Sequence, residues 1–261
     1  MLSLPNQPKI VKKEGNEATF EIEALHPGYG VTVGNSLRRV LFSSLEGAAV
    51  TRVKIKGVSH EFSTIPGVLE DVILITLNLK QLRFKIFSDE PQKATLRVKG
   101  EKEVKGSDFD LPSQVELVNK NCHIATLTKK TSELDMEIII EKGIGYSSRD
   151  SRKKEKLEVG AISSDAIFTP VRRVSYRIEN MRVGERTDYD RLFLEIKTDG
   201  TMSPEEAFYR AAEILVNHFS LLAETFKSKV ASVSAPAEKE TKKKKTKKAK
   251  DEKKKKRKKI R

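Results

Sequence analysis

The chain has 261 residues, with 51 Lys and Arg, 37 Asp and Glu, and one Cys, a length that supports one large domain or two ordinary ones. Of the net charge of +14, residues 238–261 carry +12 (16 basic, 4 acidic) and the first 237 residues only +2, so the body is close to neutral and the basicity is a tail. A globular surface that is itself basic enough to hold nucleic acid is therefore disfavoured, and a lone Cys122 excludes an internal disulfide or a multi-Cys metal site. No apolar run approaches the ~18 residues of a membrane span, and the start, MLSLPNQPKIVKKEG, lacks the ~7–15-residue apolar core of a signal peptide. A soluble cytoplasmic chain in a reducing compartment is the expectation.

The first element is ATFEIEAL, where Ala18, Phe20, Ile22 and Ala24 alternate with Thr19, Glu21 and Glu23, the pattern of a half-buried strand. HPGYG breaks the chain, VTVGNSLRRVLFSSLEG reads as a helix, and VTRVKIKGV as a strand. IPGVLEDVILITLNLKQL opens on a Pro-Gly turn and continues as a second helix to about Lys80. Short alternating runs follow between Arg83 and Glu141 (RFKIF, ATLRVKG, QVELV, HIATLTK, MEIIIEK), separated by turn residues, and predict an antiparallel sheet region. Residues 146–157, YSSRDSRKKEKL, read as a mobile loop. PVRRVSYRIENMRV and RLFLEIKTDG read as strands, and SPEEAFYRAAEILVNHFSLLAETF as the strongest helix, with Ser203 as N-cap, Pro204 at the first position and Glu206 completing a capping box. The Lys-rich end beyond it cannot bury apolar area and is expected to be disordered.

Few residues in these elements look like chemistry. Gly28, Gly30 and Gly34 lie between a strand and a helix, but as G-x-G-x-x-x-G, and the next strand ends at Lys56-Gly57 without an acidic residue for a ribose. A sharp strand-to-helix corner is the better reading. The pairs Asp108/Asp110 and Asp188/Asp190 lie beside turn signals with no third carboxylate near in sequence, and His26, His60, His123 and His218 have no ligand spacing. No self-contained active site is visible.

The helices say more. Phe208, Ala212, Leu215, Phe219, Leu222 and Phe226 recur at intervals of 4, 3, 4, 3 and 4, a coiled-coil seam, with Ala207, Ala211, Ile214 and Leu221 on a second apolar face. Such a helix is either buried inside its own domain or carries one face on a sheet and the other on a second subunit; its apolar surface favours the latter. In the first helix Val33, Leu37, Val40, Leu41, Ser44 and Leu45 share one side, while Asn35, Arg38, Arg39 and Phe42 fall opposite. That opposite face is either a solvated Arg surface with a stray Phe or a binding anchor flanked by guanidinium forks.

The stretches HPGYGVTVGNSLRRVLFSSLEGAAVT, GVSHEFSTIPGVLEDVILITLNLK, MRVGERTDYDRLFLEIKTDGT and SPEE with its helix resemble, in this order, the alpha subunit of bacterial and plastid DNA-directed RNA polymerase over roughly residues 1–230. The resemblance implies an α+β amino-terminal region in two parts: residues 1–46 with 172–232 as a dimerisation domain, and 47–171 as an inserted β-rich domain, before a disordered basic tail at 233–261. It implies a homodimer that scaffolds the beta and beta-prime subunits, with catalysis and Mg²⁺ in those large subunits and no catalytic residue, cofactor or metal here. By motif, the beta contact falls on Asn35, Arg38, Arg39 and Phe42, on Glu61, Ser63, Thr64, Gly67, Glu70 and Asp71, and on Arg182, Arg186, Thr187 and Asp188. Lys80 aligns with a beta-prime contact, and the dimer seam takes Leu37, Leu41, Phe208, Ala212, Leu215, Phe219, Leu222 and Phe226. Family members usually continue into a small helical domain that binds promoter DNA; here the Lys-rich tail stands in that position, and weak, non-specific DNA contact is its expected role. The competing function is a free-standing dimeric protein that binds nucleic acid through the tail. The expected compartment is the bacterial cytoplasm, ahead of the plastid stroma.

Overall fold

A computed structural model of the chain describes residues 3–152 and 160–233. The elements in order are β1 (Lys9–Glu14), β2 (Glu17–Leu25), α1 (Tyr29–Ser43), β3 (Glu46–Ile55), α2 (Val72–Leu79), β4 (Phe84–Ile86), β5 (Gln92–Lys99), β6 (Lys102–Lys105), β7 (Val115–Leu117), β8 (His123–Leu127), β9 (Glu133–Ile144), β10 (Tyr146–Ser147), β11 (Ala161–Ser163), β12 (Ala166–Ile167), β13 (Val171–Val183), β14 (Arg186–Thr198) and α3 (Pro204–Val233). The fold is α+β, and every strand pairing described is antiparallel. Met1–Leu215 form one compact unit, and the chain from Val216 onward a second.

Two separate cores organise the first unit. One sheet runs β1-β2-β14-β13, with Phe20 opposite Leu194 and Ile22 opposite Leu192. The period of two in β2 puts Ala18, Phe20 and Ile22 on its covered face. Leu37 and Leu41 of α1 and Ala207 and Ala211 of α3 bury themselves against that face, and Phe20 stacks on Phe208 at 4.8 Å between ring centroids. The other sheet runs β11-β3-β9-β5. Its central strand turns Leu134, Met136, Ile138 and Ile140 inward, under Val72, Ile75 and Leu79 of α2. The outward row of β9 is acidic and pairs with basic residues on both neighbours, as in Arg52–Glu141 (3.1 Å) and Lys93–Glu137 (2.8 Å). This core draws only on residues between Val50 and Ile162, while the first draws on 18–45 and 171–211. The chain thus leaves one lobe after Leu45 and returns to it at Val171.

Several elements differ from the sequence expectation, each for a visible reason. β1 is exposed throughout, so its KIVKKE pattern carries no burial signal; it is an edge strand held by backbone pairing to β2. α1 begins two residues earlier than its apolar pattern and stops at Ser43, because Gly47 is already in β3, where a Cβ would stand 1.8 Å from the Phe168 carbonyl oxygen. α2 starts only at Val72: residues 66–71 are pinned to β8, and Asp71 is extended as the N-cap. The expected mobile loop at 146–157 begins with β10 and a 3₁₀ turn at Arg149–Arg152; its remainder lies outside the described residues, as does the tail from 234. At α3, Glu206 N–H donates to Ser203 Oγ (3.2 Å) as expected of the N-cap, but the Glu206 carboxylate goes to Arg210 (2.6 Å) and not back to the cap. Among the described residues no helix is long and apolar enough to cross a membrane.

Candidate functional site

The first face is built by the corner before α1. Gly28 sits at φ 84° as the N-cap, a left-handed backbone that glycine adopts without strain. Its N–H and that of Gly30 donate to Asp190 Oδ2, both at 2.9 Å, so a carboxylate from β14 neutralises the positive end of α1. Gly30 and Gly34 lie flush on the sheet, since a Cβ on either would come within 3.0 Å of Asp190 or of Leu192 and Tyr176. The glycine-rich turn cannot serve as a phosphate-binding corner, because Asp190 already occupies the donors a phosphate would need. This seating rolls Asn35, Arg38, Arg39 and Phe42 outward around a depression of about 350 Å³, completed by Ser43, with Phe42 36% exposed. Leu37 and Leu41, expected at the dimer seam, are closed inside the chain's own core at 4% and 0% exposure and have no surface left for a second copy.

The second face is the loop before α2. Glu61 binds Arg149 through both carboxylate oxygens (3.0 and 2.9 Å), and Ser63 Oγ meets His60 Nδ1 at 3.1 Å. Gly67 is at φ 80° and its carbonyl accepts from Thr128 N–H and Ser132 Oγ, both at 2.9 Å; a Cβ there would overlap Ser132 Oγ. Glu70 accepts from Thr126 N–H (2.6 Å), Thr126 Oγ1 (3.0 Å) and His123 Nε2 (2.9 Å). Burial works to raise the Glu70 pKa, yet these bonds outweigh it and hold the carboxyl below its ordinary value. Asp71 caps α2 by accepting from Leu74 N–H at 2.7 Å, and Thr64 is exposed. Lys80 follows α2, 3.5 Å from Asp165, and shares a cleft of about 150 Å³ with Glu61, Arg149 and Asp165. Phe62 (73% exposed), Leu69, Leu74 and Leu77 stand uncovered among these polar residues. Sequence reasoning missed them, although Phe62 and Leu69 fall outside any helical or strand period and could have been noticed as apolar residues in a loop.

The third face is the β13–β14 hairpin. Arg186 forks onto Asp188 (3.0 and 2.7 Å) and holds that carboxyl below its usual range, Arg182 Nε donates to the Gly184 carbonyl, and Thr187 is exposed. Tyr189 and Tyr29 both pack edge-on against His26, which brings the hairpin end to the start of α1. The two aspartates of Asp188/Asp190 thus part company, one to a surface fork and the other to the helix cap. Asp108 goes to Lys102 and to the Lys105 N–H. Among the described residues no group of three or more His, Cys, Asp or Glu is placed to hold a metal ion.

In α3 the expected seam divides along the length of the helix. Phe208, Ala212 and Leu215 pack partly on their own core, whereas Phe219, Leu222 and Phe226, with Val216 and Leu221 on the other sides, are 57–66% exposed.

The chain is an α+β protein whose β-rich lobe is inserted between α1 and β13 of its first lobe, the organisation of a protein that carries an insert domain. A family model described as the RNA polymerase Rpb3/RpoA insert domain matches residues 53–169. The DNA-directed RNA polymerase subunit alpha of Roseiflexus sp. (strain RS-1) is 48% identical over 216 residues, 83% of this chain and 66% of its own length. That of Symbiobacterium thermophilum is 50% identical over 212 residues (81% and 67%), and that of Oceanobacillus iheyensis 44% over 241 residues (90% and 76%). The chain spans about two thirds to three quarters of the length of these relatives. It belongs to the family of DNA-directed RNA polymerase alpha subunits.

Proposed function

We propose that the chain serves as the non-catalytic scaffold of a bacterial DNA-directed RNA polymerase, acting in the cytoplasm on transcription. In this reading residues 1–46 and 172–232 form a homodimerisation domain, 47–171 the inserted domain, and the exposed end of α3 supplies the apolar contact between copies. The beta subunit docks on the Asn35–Phe42 face, on the loop from Glu61 to Asp71 and on the Arg182–Asp188 hairpin, and Lys80 meets beta-prime. Mg²⁺ and nucleotidyl transfer belong to those large subunits, and the basic tail holds DNA by charge.

The observation that carries the reading is the Arg38–Arg39–Phe42 face, an exposed aromatic that shares one depression with two arginines on a helix locked in place from behind. Planar, charged forks beside an aromatic anchor are what a protein partner uses and bulk solvent does not need. Truncating such an anchor typically costs ~2 kcal/mol or more, about 30-fold in affinity. A tagged chain co-expressed with both large subunits should retain them, and Arg39→Ala should remain a dimer yet lose the beta subunit. Full retention of beta by Arg39→Ala would place the contact elsewhere.

A further inference from the structure

Among the described residues Arg83 is the only buried arginine. It stands at the corner between α2 and β4, in the inserted lobe, and its Nε lies 3.3 Å from Asp199 Oδ2 in the turn between β14 and α3, which belongs to the other lobe. Both side chains are almost closed to solvent, at 10% and 5% exposure. Nη1 donates to the carbonyls of Lys80 and Leu82, each at 2.8 Å, so the guanidinium grips the backbone of Lys80 from below. Asp199 is equally committed: Oδ1 accepts from Thr201 N–H and Oγ1, and its own N–H donates to the Pro170 carbonyl. Beside it Gly200, at φ 94°, lies so close to the inserted lobe that a Cβ would come within 3.3 Å of Val118 Cγ1. Burial lowers the Arg83 pKa, nearby Arg172 adds to this, and Asp199 opposes both.

A buried ion pair adds little net stability compared with a well-packed apolar pair, but it tolerates few geometries, because each misplaced charge is left desolvated. Here it joins the two lobes beside the chain crossing at 170, where the Asp199 N–H itself donates to the Pro170 carbonyl at 2.9 Å. We infer that the Arg83–Asp199 pair is a latch that fixes the angle between the lobes and so sets where Lys80 stands relative to the Arg39–Phe42 face. Its consequence for assembly rests on the large-subunit reading of those two faces; the latch itself does not. Arg83 is in this sense a positioning residue: it holds the backbone from which the contact residue projects.

The test separates arrangement from stability. A Cys122→Ser chain carrying spin labels at Lys12→Cys and Lys99→Cys, one on each lobe, is diluted with excess unlabelled chain and measured by pulsed electron spin resonance. The parent should give one narrow distance distribution. Arg83→Met leaves the Asp199 carboxylate buried without the Arg83 charge, so it should lose both stability and the narrow peak. Arg83→Met with Asp199→Leu removes the stranded charge and should recover the melting temperature while the distribution stays broad. A narrow, unshifted peak in the double variant overturns the latch, and it does so even if the single variant fails to fold. Capture of the large subunits by Lys80→Ala is scored separately. Unimpaired capture there would overturn the consequence for assembly, whatever the label distances show.

Discussion

Asp190 was visible in the sequence only as half of an Asp-x-Asp pair, and its role depends on a register that no local pattern carries. β14 passes the start of α1, so a carboxylate 160 residues away receives the N–H groups of Gly28 and Gly30. Asp190→Ala would leave two donors unpaired where Asp190 is 8% exposed, and a lost cap alone costs about 1 kcal/mol. A loss of about 2–3 kcal/mol in urea unfolding is expected, with the Arg39–Phe42 face disordered before the rest. Glu70 makes a prediction about pH. Its pKa is depressed in the folded chain, so its stabilisation is complete at neutral pH and is lost as pH falls from the ordinary value of 4.5 through the folded one. Glu70→Gln should cost about 1.5–3 kcal/mol at pH 7, the range for hydrogen bonds to a charged group. It should also flatten the decline of stability below pH 4.5, read from melts in a pH series. A variant with the parent's full acid limb would show that other carboxylates dominate it.

The elements with one clean period were legible: β2, β14 and α1 follow their alternation or 100° stripe, and the outward turn of Asn35, Arg38, Arg39 and Phe42 follows from the inward turn of Leu37 and Leu41. What the period could not tell is what covers a stripe. In α1 the stripe is consumed by its own sheet, and in α3 the same kind of stripe changes role partway along, packed at Phe208 and exposed at Phe219. A heptad repeat is blind to that change, because it records which residues share a side and not where the sheet beneath them ends. β1 and the pinned 66–71 loop were missed for a related reason: backbone pairing and a single glutamate fix them, with no apolar pattern involved. The division of α3 also decides which substitution tests the dimer. Leu215→Glu would damage the chain's own core, whereas Phe219→Glu places a charge on surface that is open in the single chain. Phe219→Glu should therefore keep the parent's melting profile at low concentration and shift sedimentation to monomer. A dimer of undiminished strength would move the interface off α3.

Across the whole molecule the charge is split as sharply as the cores are: +2 over the first 237 residues and +12 over the last 24. The body's own charges are largely spent on one another, as in the acidic row of β9 between its two basic neighbours, which leaves the tail as the polyelectrolyte. A segment with 16 basic residues and no aromatic side chain suits attraction to phosphates and offers nothing to stack on or read a base edge. DNA held this way releases counterions, so the logarithm of affinity should fall linearly with the logarithm of salt, by roughly 0.9 per phosphate neutralised. Full-length chain and a chain ending at Ala237 would be compared over a salt series, first alone and then in the assembled polymerase. The full-length chain should bind A·T-rich and mixed DNA equally and with a steep slope, and the shortened one should lose most of both affinity and slope. Equal slopes would remove DNA from the tail's role, and a sequence preference that disappears with the tail would show that it reads more than charge.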